Sequence, residues 1–298
     1  HPHFVYHYFD DQKPNWMDTD GMQLLSSISD LAPDFVLACV QPYAFQSQET
    51  DQKIISILCR DVEKDSDALF AFRLEMLKKY PREVYHSMLL FRPEHLPIKR
   101  LLALIKIVID AEELWKSESM CFGNEKERKK IAKKNYAEIV NSLFPHICAI
   151  TQKLTWPSPY HDTIWENRPW ENHEYPHAAR EIVEFVKMAL DEYVSHKPQE
   201  VFNNIVCSTI EPSVVGQELV MHAVLLLPYD FGTKVLRWLL EDFRRRIFVY
   251  TFNEKDYLCY AKKIIAKFSK SLRRPNSAAV GKKQYTSGMM IPYMTKSA

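Results

Sequence analysis

The chain has 298 residues, of which only six are glycine, and 39 basic and 38 acidic residues give it a net charge of +1. No two glycines have the spacing of a Rossmann or P-loop phosphate site, which excludes these nucleotide-binding motifs. The tight turns and bulges of large sheets also need glycine, so the composition argues against a β fold or a doubly wound α/β fold.

Charge is distributed unevenly along the chain. Residues 255–298 contain ten Lys or Arg and one acidic residue, whereas residues 1–254 sum to −8. This asymmetry indicates self-association or an acidic surface on a partner. The six cysteines are far apart and form no CxxC pair. We therefore predict reduced thiols and a cytoplasmic or nuclear location. No apolar run approaches 18 residues, so we predict no membrane span.

Apolar residues three and four positions apart predict helices through most of the first 154 residues. The predicted helix starts share a capping residue or a proline ahead of an apolar stripe, and they are Thr19 or Asp20, Asp65 or Ser66, and Pro97. Helical spacing continues over residues 125–154, where Pro145 predicts a break because proline removes a backbone donor.

The second half of the chain has prolines ahead of its periodic runs, as helix starts favour. These are Pro176, Pro198, Pro212 and Pro228, and a final helix is predicted over 254–271. About a dozen helices result. The predicted fold is all-α, an irregular antiparallel array of HEAT-like or multi-helix bundle type. No known repeat signature stands out.

Two segments lack helical periodicity and divide the chain. Residues 155–177 contain four prolines and three tryptophans, and residues 272–298 form a basic tail. We predict an N-terminal helical half (1–154), a Trp/Pro-rich connecting loop (155–177), a C-terminal helical half (178–271) and a flexible tail (272–298).

The tryptophans of the connecting loop are candidate partner-binding residues. Trp156, Trp165 and Trp170 are large aromatic side chains among prolines. They fit an aromatic groove for a proline-rich peptide or a stacked base. The alternative is an ordered loop whose rings pack between the helical halves.

A run of basic residues over 126–134 is a second candidate. Helical spacing places Lys126, Lys130, Lys133 and Lys134 on one side. This face fits nucleic acid, a phosphoinositide or an import receptor, and the alternative is a solvated helix face. Arg244, Arg245 and Arg246 add a second basic cluster, which also provides candidate arginine fingers.

The tail contains two further candidates. Met289, Met290, Ile291 and Tyr293 form an apolar string typical of a docking peptide. Arg274 precedes Ser277 by three residues, a spacing that suits a basophilic kinase. Phosphorylation there would weaken the tail's attraction to an acidic partner.

Catalytic and metal motifs are weak. There is no GxSxG string. His161, Asp162, His173 and His177 cluster in sequence, but no cysteine accompanies them and Pro176 argues against a helix that would align the last two histidines. We predict no cofactor and no metal.

Three functions remain open. The leading hypothesis is a non-enzymatic helical scaffold or adaptor that docks other protein subunits within an intracellular complex. The second is a nucleic-acid-binding helical protein that uses the 126–134 basic face and the C-terminal tail. The third is an all-α GTPase regulator with a finger among Arg244–Arg246.

Overall fold

The computed structural model describes residues 19–29, 31–58, 62–81, 93–111, 123–153, 178–208, 214–242 and 260–272. Across these residues the protein is all-α, with 11 α-helices and no strand, as the glycine content and apolar spacing predict. In chain order the helices are α1 (Thr19–Ser29), α2 (Pro33–Val40), α3 (Gln48–Leu58), α4 (Asp67–Lys79), α5 (Ile98–Asp110), α6 (Glu125–Lys153), α7 (Ala178–His196), α8 (Pro198–Val201), α9 (Val214–Leu226), α10 (Gly232–Glu241) and α11 (Tyr260–Leu272).

The predicted helix starts at Ser66, Pro97 and Pro198 are confirmed. Pro228 instead precedes the 3-10 turn Tyr229–Phe231, and α10 begins at Gly232. The hydroxyl of Ser66 accepts a hydrogen bond from the Leu69 N–H and caps α4. Pro97 precedes the first residue of α5, and Pro198 is the first residue of α8. These positions suit proline because the N–H groups at a helix start have no partner in the helix.

The helices form two compact units, His1–Leu227 and Pro228–Ala298. In the first unit, α1, α2 and α3 pack together, and α4 packs on α2 and α5. Helix α6 packs against α5, α7 and α9. In the second unit, α10 packs against α11, and both contact the short 3-10 turn Tyr229–Phe231. The predicted division at residues 155–177 falls outside the described residues and stays a prediction.

The predicted break at Pro145 is wrong, because α6 continues through it. The side chains around this proline explain the continuity: Leu143, Phe144, Ile147 and Cys148 are all at most 1% exposed. Their burial offsets the cost of the missing hydrogen bond.

None of the described helices is, by itself, both long and apolar enough to cross a membrane. Two consecutive stretches, Val215–Leu226 and Tyr229–Glu241, meet the criteria of length and composition only when taken together.

A buried carboxylate joins three parts of the N-terminal region. Asp51 of α3 is fully buried and accepts hydrogen bonds from the Tyr80 hydroxyl at 2.5 Å, the Lys79 ammonium at 2.9 Å and the Phe45 N–H at 2.6 Å. Burial alone would raise the pKa of Asp51, but the three hydrogen bonds and the charge of Lys79 outweigh it and lower the pKa. The loop residue Phe45, whose φ is 64°, is thereby held against the end of α4.

Replacing Asp51 with Asn should lower the free energy of unfolding by about 3 kcal/mol, because the neutral amide no longer balances Lys79 and cannot accept from all three donors. Urea unfolding followed by circular dichroism measures the change. Asp67→Asn is the matched control, since Asp67 pairs with Arg100 at 2.7 Å but is fully exposed. Equal losses in the two variants would contradict a structural role for the buried carboxylate.

The same substitution gives a pH dependence. The pKa of Asp51 is lower in the folded than in the unfolded chain, so its stabilisation is complete above the unfolded pKa and is lost as the pH falls through the folded pKa. The difference in stability between wild type and Asp51→Asn should therefore begin to narrow below about pH 4 and narrow further as the pH falls toward the lower folded pKa. Unfolding midpoints between about pH 7 and about pH 3 test this, and a constant difference would refute it.

Candidate functional site

The start of α6 is built by a turn and a reciprocal cap. Gly123 has a φ of 73°, a conformation that glycine adopts without strain. The Asn124 side chain accepts from the Glu127 N–H at 3.0 Å, and the Glu127 carboxylate accepts from the Asn124 N–H at 2.8 Å. This is a capping box with Asn at the N-cap. It fixes the position from which the basic run begins.

Two basic residues of the run contribute to the fold. Arg128 donates to the Gly123 carbonyl at 2.7 Å and lies 3.4 Å from Glu181, which joins α6 to α7. Lys129 pairs with Glu125 one turn earlier, at 2.5 Å. Their charges are therefore matched within the protein.

The other four basic residues form the predicted face, here called the lysine face. Lys126, Lys130, Lys133 and Lys134 are all exposed. Among the residues that the structure describes, none of the four has an ion-pair partner. The structure thus confirms that they are exposed on one helix, and their charges are available to a ligand.

The helix is irregular directly after the lysine face. Asn135 has φ −127° and ψ 26°, outside the helical region. Its side-chain amide donates to the Ile131 carbonyl at 3.1 Å, the acceptor that a backbone N–H of residue 135 uses in a regular helix. A side chain that enters the backbone hydrogen-bond pattern is a known cause of helix kinks.

A cleft of about 550 Å³ lies beside this kink. One wall is formed by the turn Pro93–His95 and the start of α5, and it includes Leu96, Ile98 and Lys99. The other wall is one face of α6, formed by Lys130, Ile131, Lys134, Asn135 and Glu138. The lysine cleft, as we call it, has the size of ordinary ligand pockets.

The lining of the lysine cleft combines charge with apolar surface. Lys99, Lys130 and Lys134 bring three ammonium groups from two helices, against two carboxylates, Glu94 and Glu138. One buried carboxylate oxygen of Glu94 accepts no hydrogen bond from any described residue. The cleft therefore has donors for anionic groups, one acceptor without a donor, and apolar contacts between them.

The remaining predicted site residues lie outside the described residues. They are Trp156, Trp165 and Trp170 of the connecting loop, the cluster Arg244, Arg245 and Arg246, and the tail residues Ser277, Met289, Met290, Ile291 and Tyr293. Their proposed roles stay predictions. Within the described part of the chain, no three or more His, Cys, Asp or Glu side chains are grouped to hold a metal ion.

No protein family, no curated protein and no solved structure matches the chain. The function is therefore argued from the geometry of its own residues.

Sequence reasoning missed Lys99 as a member of the site. Nothing near Lys99 in sequence connects it with Lys130, and only the packing of α5 on α6 brings them to one cleft. The capping box was detectable, because Asn124 and Glu127 have its three-residue spacing.

Gly123→Ala should lower the thermal midpoint and deform the lysine cleft. An added Cβ would lie 2.7 Å from Cγ of Pro93, a cleft residue, and 2.6 Å from a Glu127 carboxylate oxygen, in a backbone conformation that strains any L side chain. The expected loss is about 1–3 kcal/mol, measured by chemical unfolding.

The double variant Gly123→Ala/Pro93→Ala separates the two causes of this loss. Removing the proline ring relieves its close contact but leaves the backbone strain, so the loss due to Gly123→Ala should be smaller in a Pro93→Ala background than in wild type. Strictly additive losses would show that Pro93 does not restrict position 123.

Proposed function

We propose that the protein is a non-enzymatic helical scaffold or adaptor that docks an acidic segment of a protein partner in the lysine cleft. The observation that carries the proposal is the meeting of Lys99, Lys130 and Lys134, from two helices, around a cleft with an apolar lining. Unmatched exposed charge beside apolar surface is typical of docking sites in which charge sets orientation and association rate.

The chemistry of the cleft favours a peptide over a polyanion. The side chains of Leu96, Ile98 and Ile131 offer contacts to an apolar anchor. Glu94 and Glu138 interrupt the positive surface, so the cleft suits a chain with a few separated acidic groups better than a continuous phosphate backbone. An acidic peptide with one or two apolar side chains meets all of these features.

The lysine face extends beyond the cleft and enlarges the site for such a peptide. Lys126 and Lys133 belong to the same exposed face but do not line the cleft. They would act at longer range, by attracting and orienting an acidic chain rather than by contacting its anchor. The cleft lysines and the outer lysines therefore have separable roles.

The other functions stay predictions. A GTPase regulator depends on Arg244, Arg245 and Arg246, which lie outside the described residues. The cytoplasmic or nuclear location likewise depends on cysteine usage alone. No described residue favours a GTPase regulator over the docking proposal, and none bears on the location.

Zero-length crosslinking with a carbodiimide tests the docking proposal, because this reagent joins a lysine amine directly to a carboxylate. The tagged full-length chain is treated with the reagent in a cell lysate, and the crosslinked peptides are sequenced by mass spectrometry. We expect acidic partner peptides joined to Lys130, Lys134 or Lys99. The variant Lys130→Glu/Lys134→Glu should lose these peptides, since it reverses the charge of one cleft wall.

The matched control is Lys126→Glu/Lys133→Glu, which makes the same charge change on the same helix outside the cleft. It should still give the crosslinked peptides at Lys99, although at a lower yield than wild type. Loss of the crosslinks at Lys99 to the same extent in both variants would refute the cleft as the docking site and leave a general charge effect.

A further inference from the structure

The second compact unit has a large positive net charge, and the lysine cleft does not lie in this unit. Pro228–Ala298 contains 15 Lys or Arg and five Asp or Glu, a net charge of +10, whereas His1–Leu227 has a net charge of −9. A strongly basic unit within a nearly neutral chain is the electrostatic pattern of a polyanion-binding module.

Helix α11 carries part of this charge. It contains four lysines and no acidic residue. Lys263, Lys267 and Lys270 follow each other at spacings of four and three residues, which places them in one stripe. Lys263 and Lys270 are exposed, and Lys267 is half-buried. The stripe is called the α11 stripe below.

The apolar face of α11 is already buried. Ala261, Ile264 and Phe268 are at most 4% exposed, and the helix packs against α10. An amphipathic helix that binds a bilayer inserts its apolar face into the lipid. That face packs in the core of the unit. Helix α11 therefore presents lysine side chains to a ligand, but its buried face cannot insert into lipid. This favours a charged polymer over a membrane.

An exposed aromatic ring lies beside the middle of the stripe. Tyr229 is 60% exposed, and the Lys267 ammonium lies 5.5 Å from its ring centroid. The ring of Phe268 supports Tyr229 edge-on, with 6.4 Å between the centroids. An exposed ring among lysines is the arrangement on which unpaired bases stack while their phosphates are neutralised.

We infer that the second unit binds single-stranded nucleic acid through the α11 stripe, with Tyr229 as a stacking platform. The lysines neutralise phosphates along the strand, and the ring takes the face of one base. None of these contacts is made to the edge of a base, so the binding is independent of the nucleotide sequence. The inference does not depend on the lysine cleft, which lies in the other unit.

Salt-titrated binding of the full-length chain tests the inference. The probes are fluorescent oligo(U) and oligo(dT) of about 20 nucleotides, which distinguish RNA from DNA as the source of the strand. Binding is expected at about 50 mM salt and should weaken steeply as salt rises. Lys263→Glu/Lys270→Glu should weaken binding at least tenfold and lower the slope of log affinity against log salt by about 1.4, since each neutralised phosphate contributes about 0.7.

Tyr229→Ala separates stacking from charge. It should weaken binding by about tenfold while leaving the salt slope unchanged, because the ring carries no charge. The variant Lys126→Glu/Lys133→Glu makes the same charge change in the first unit and should lower the slope less than Lys263→Glu/Lys270→Glu does. Circular dichroism of each variant checks folding. Because Tyr229 is highly exposed, its replacement should disturb the fold least.

Three outcomes would overturn the inference. The first is no oligonucleotide binding at about 50 mM salt, whether or not the chain binds vesicles of phosphatidylserine and phosphatidylcholine or self-associates. The second is a salt slope that falls in the Lys126/Lys133 variant but not in the Lys263/Lys270 variant. The third is full affinity in Tyr229→Ala. None of these outcomes bears on crosslinking at the lysine cleft, so the two proposals fail separately.

Discussion

The reciprocal cap between Asn124 and Glu127 is the contact on which the first unit's candidate site depends. It sets where α6 begins, and α6 packs against α5, α7 and α9. The burial of Ile131, Ala132 and Ile139 sets the rotation of α6 about its axis and so turns the lysine face outward. Gly123 makes the cap possible, since only its positive φ brings the chain past Pro93 into the helix.

The irregular turn at Asn135 gives the site its second constraint. All four lysines of the lysine face precede this turn, and Lys130 and Lys134 reach the start of α5 together with Ile131. The side-chain hydrogen bond to Ile131 ends the regular helix directly after Lys134. The wall of the cleft therefore combines two ammonium groups with an isoleucine.

The two units carry opposite charges and offer different surfaces. The first has a net negative charge, yet its cleft is rimmed by lysines from two helices. The second has a net positive charge, most of it in residues 255–298, and displays one lysine stripe with an aromatic ring. We therefore propose different ligands for them, a peptide for the mixed cleft and a polyanion for the stripe. An adaptor with both would bring a protein and a nucleic acid together on one chain.

Much of the fold followed from the sequence because the signals were local. The cap at Ser66, the start after Pro97 and the exposure of Lys126–Lys134 each depend on residues within one or two helical turns. The predicted break at Pro145 was wrong because the burial of Phe144 and Ile147 offsets the loss of the backbone hydrogen bond that proline cannot donate. Lys99 could not be assigned to the cleft from sequence, nor could Lys79 and Tyr80 be assigned to Asp51, since these residues meet only through packing between distant segments.

The hydrogen bonds of Asp51 also constrain how the sequence can change over time. Loss of Tyr80 alone leaves the carboxylate two of its three donors and its counterion, whereas loss of Lys79 leaves a buried charge unpaired, so position 80 can vary first. Loss of Asp51 alone leaves a buried hydroxyl and a backbone N–H without their acceptor. Positions 51, 79 and 80 should therefore be inherited as a set, with the aspartate the last of the three to be replaced.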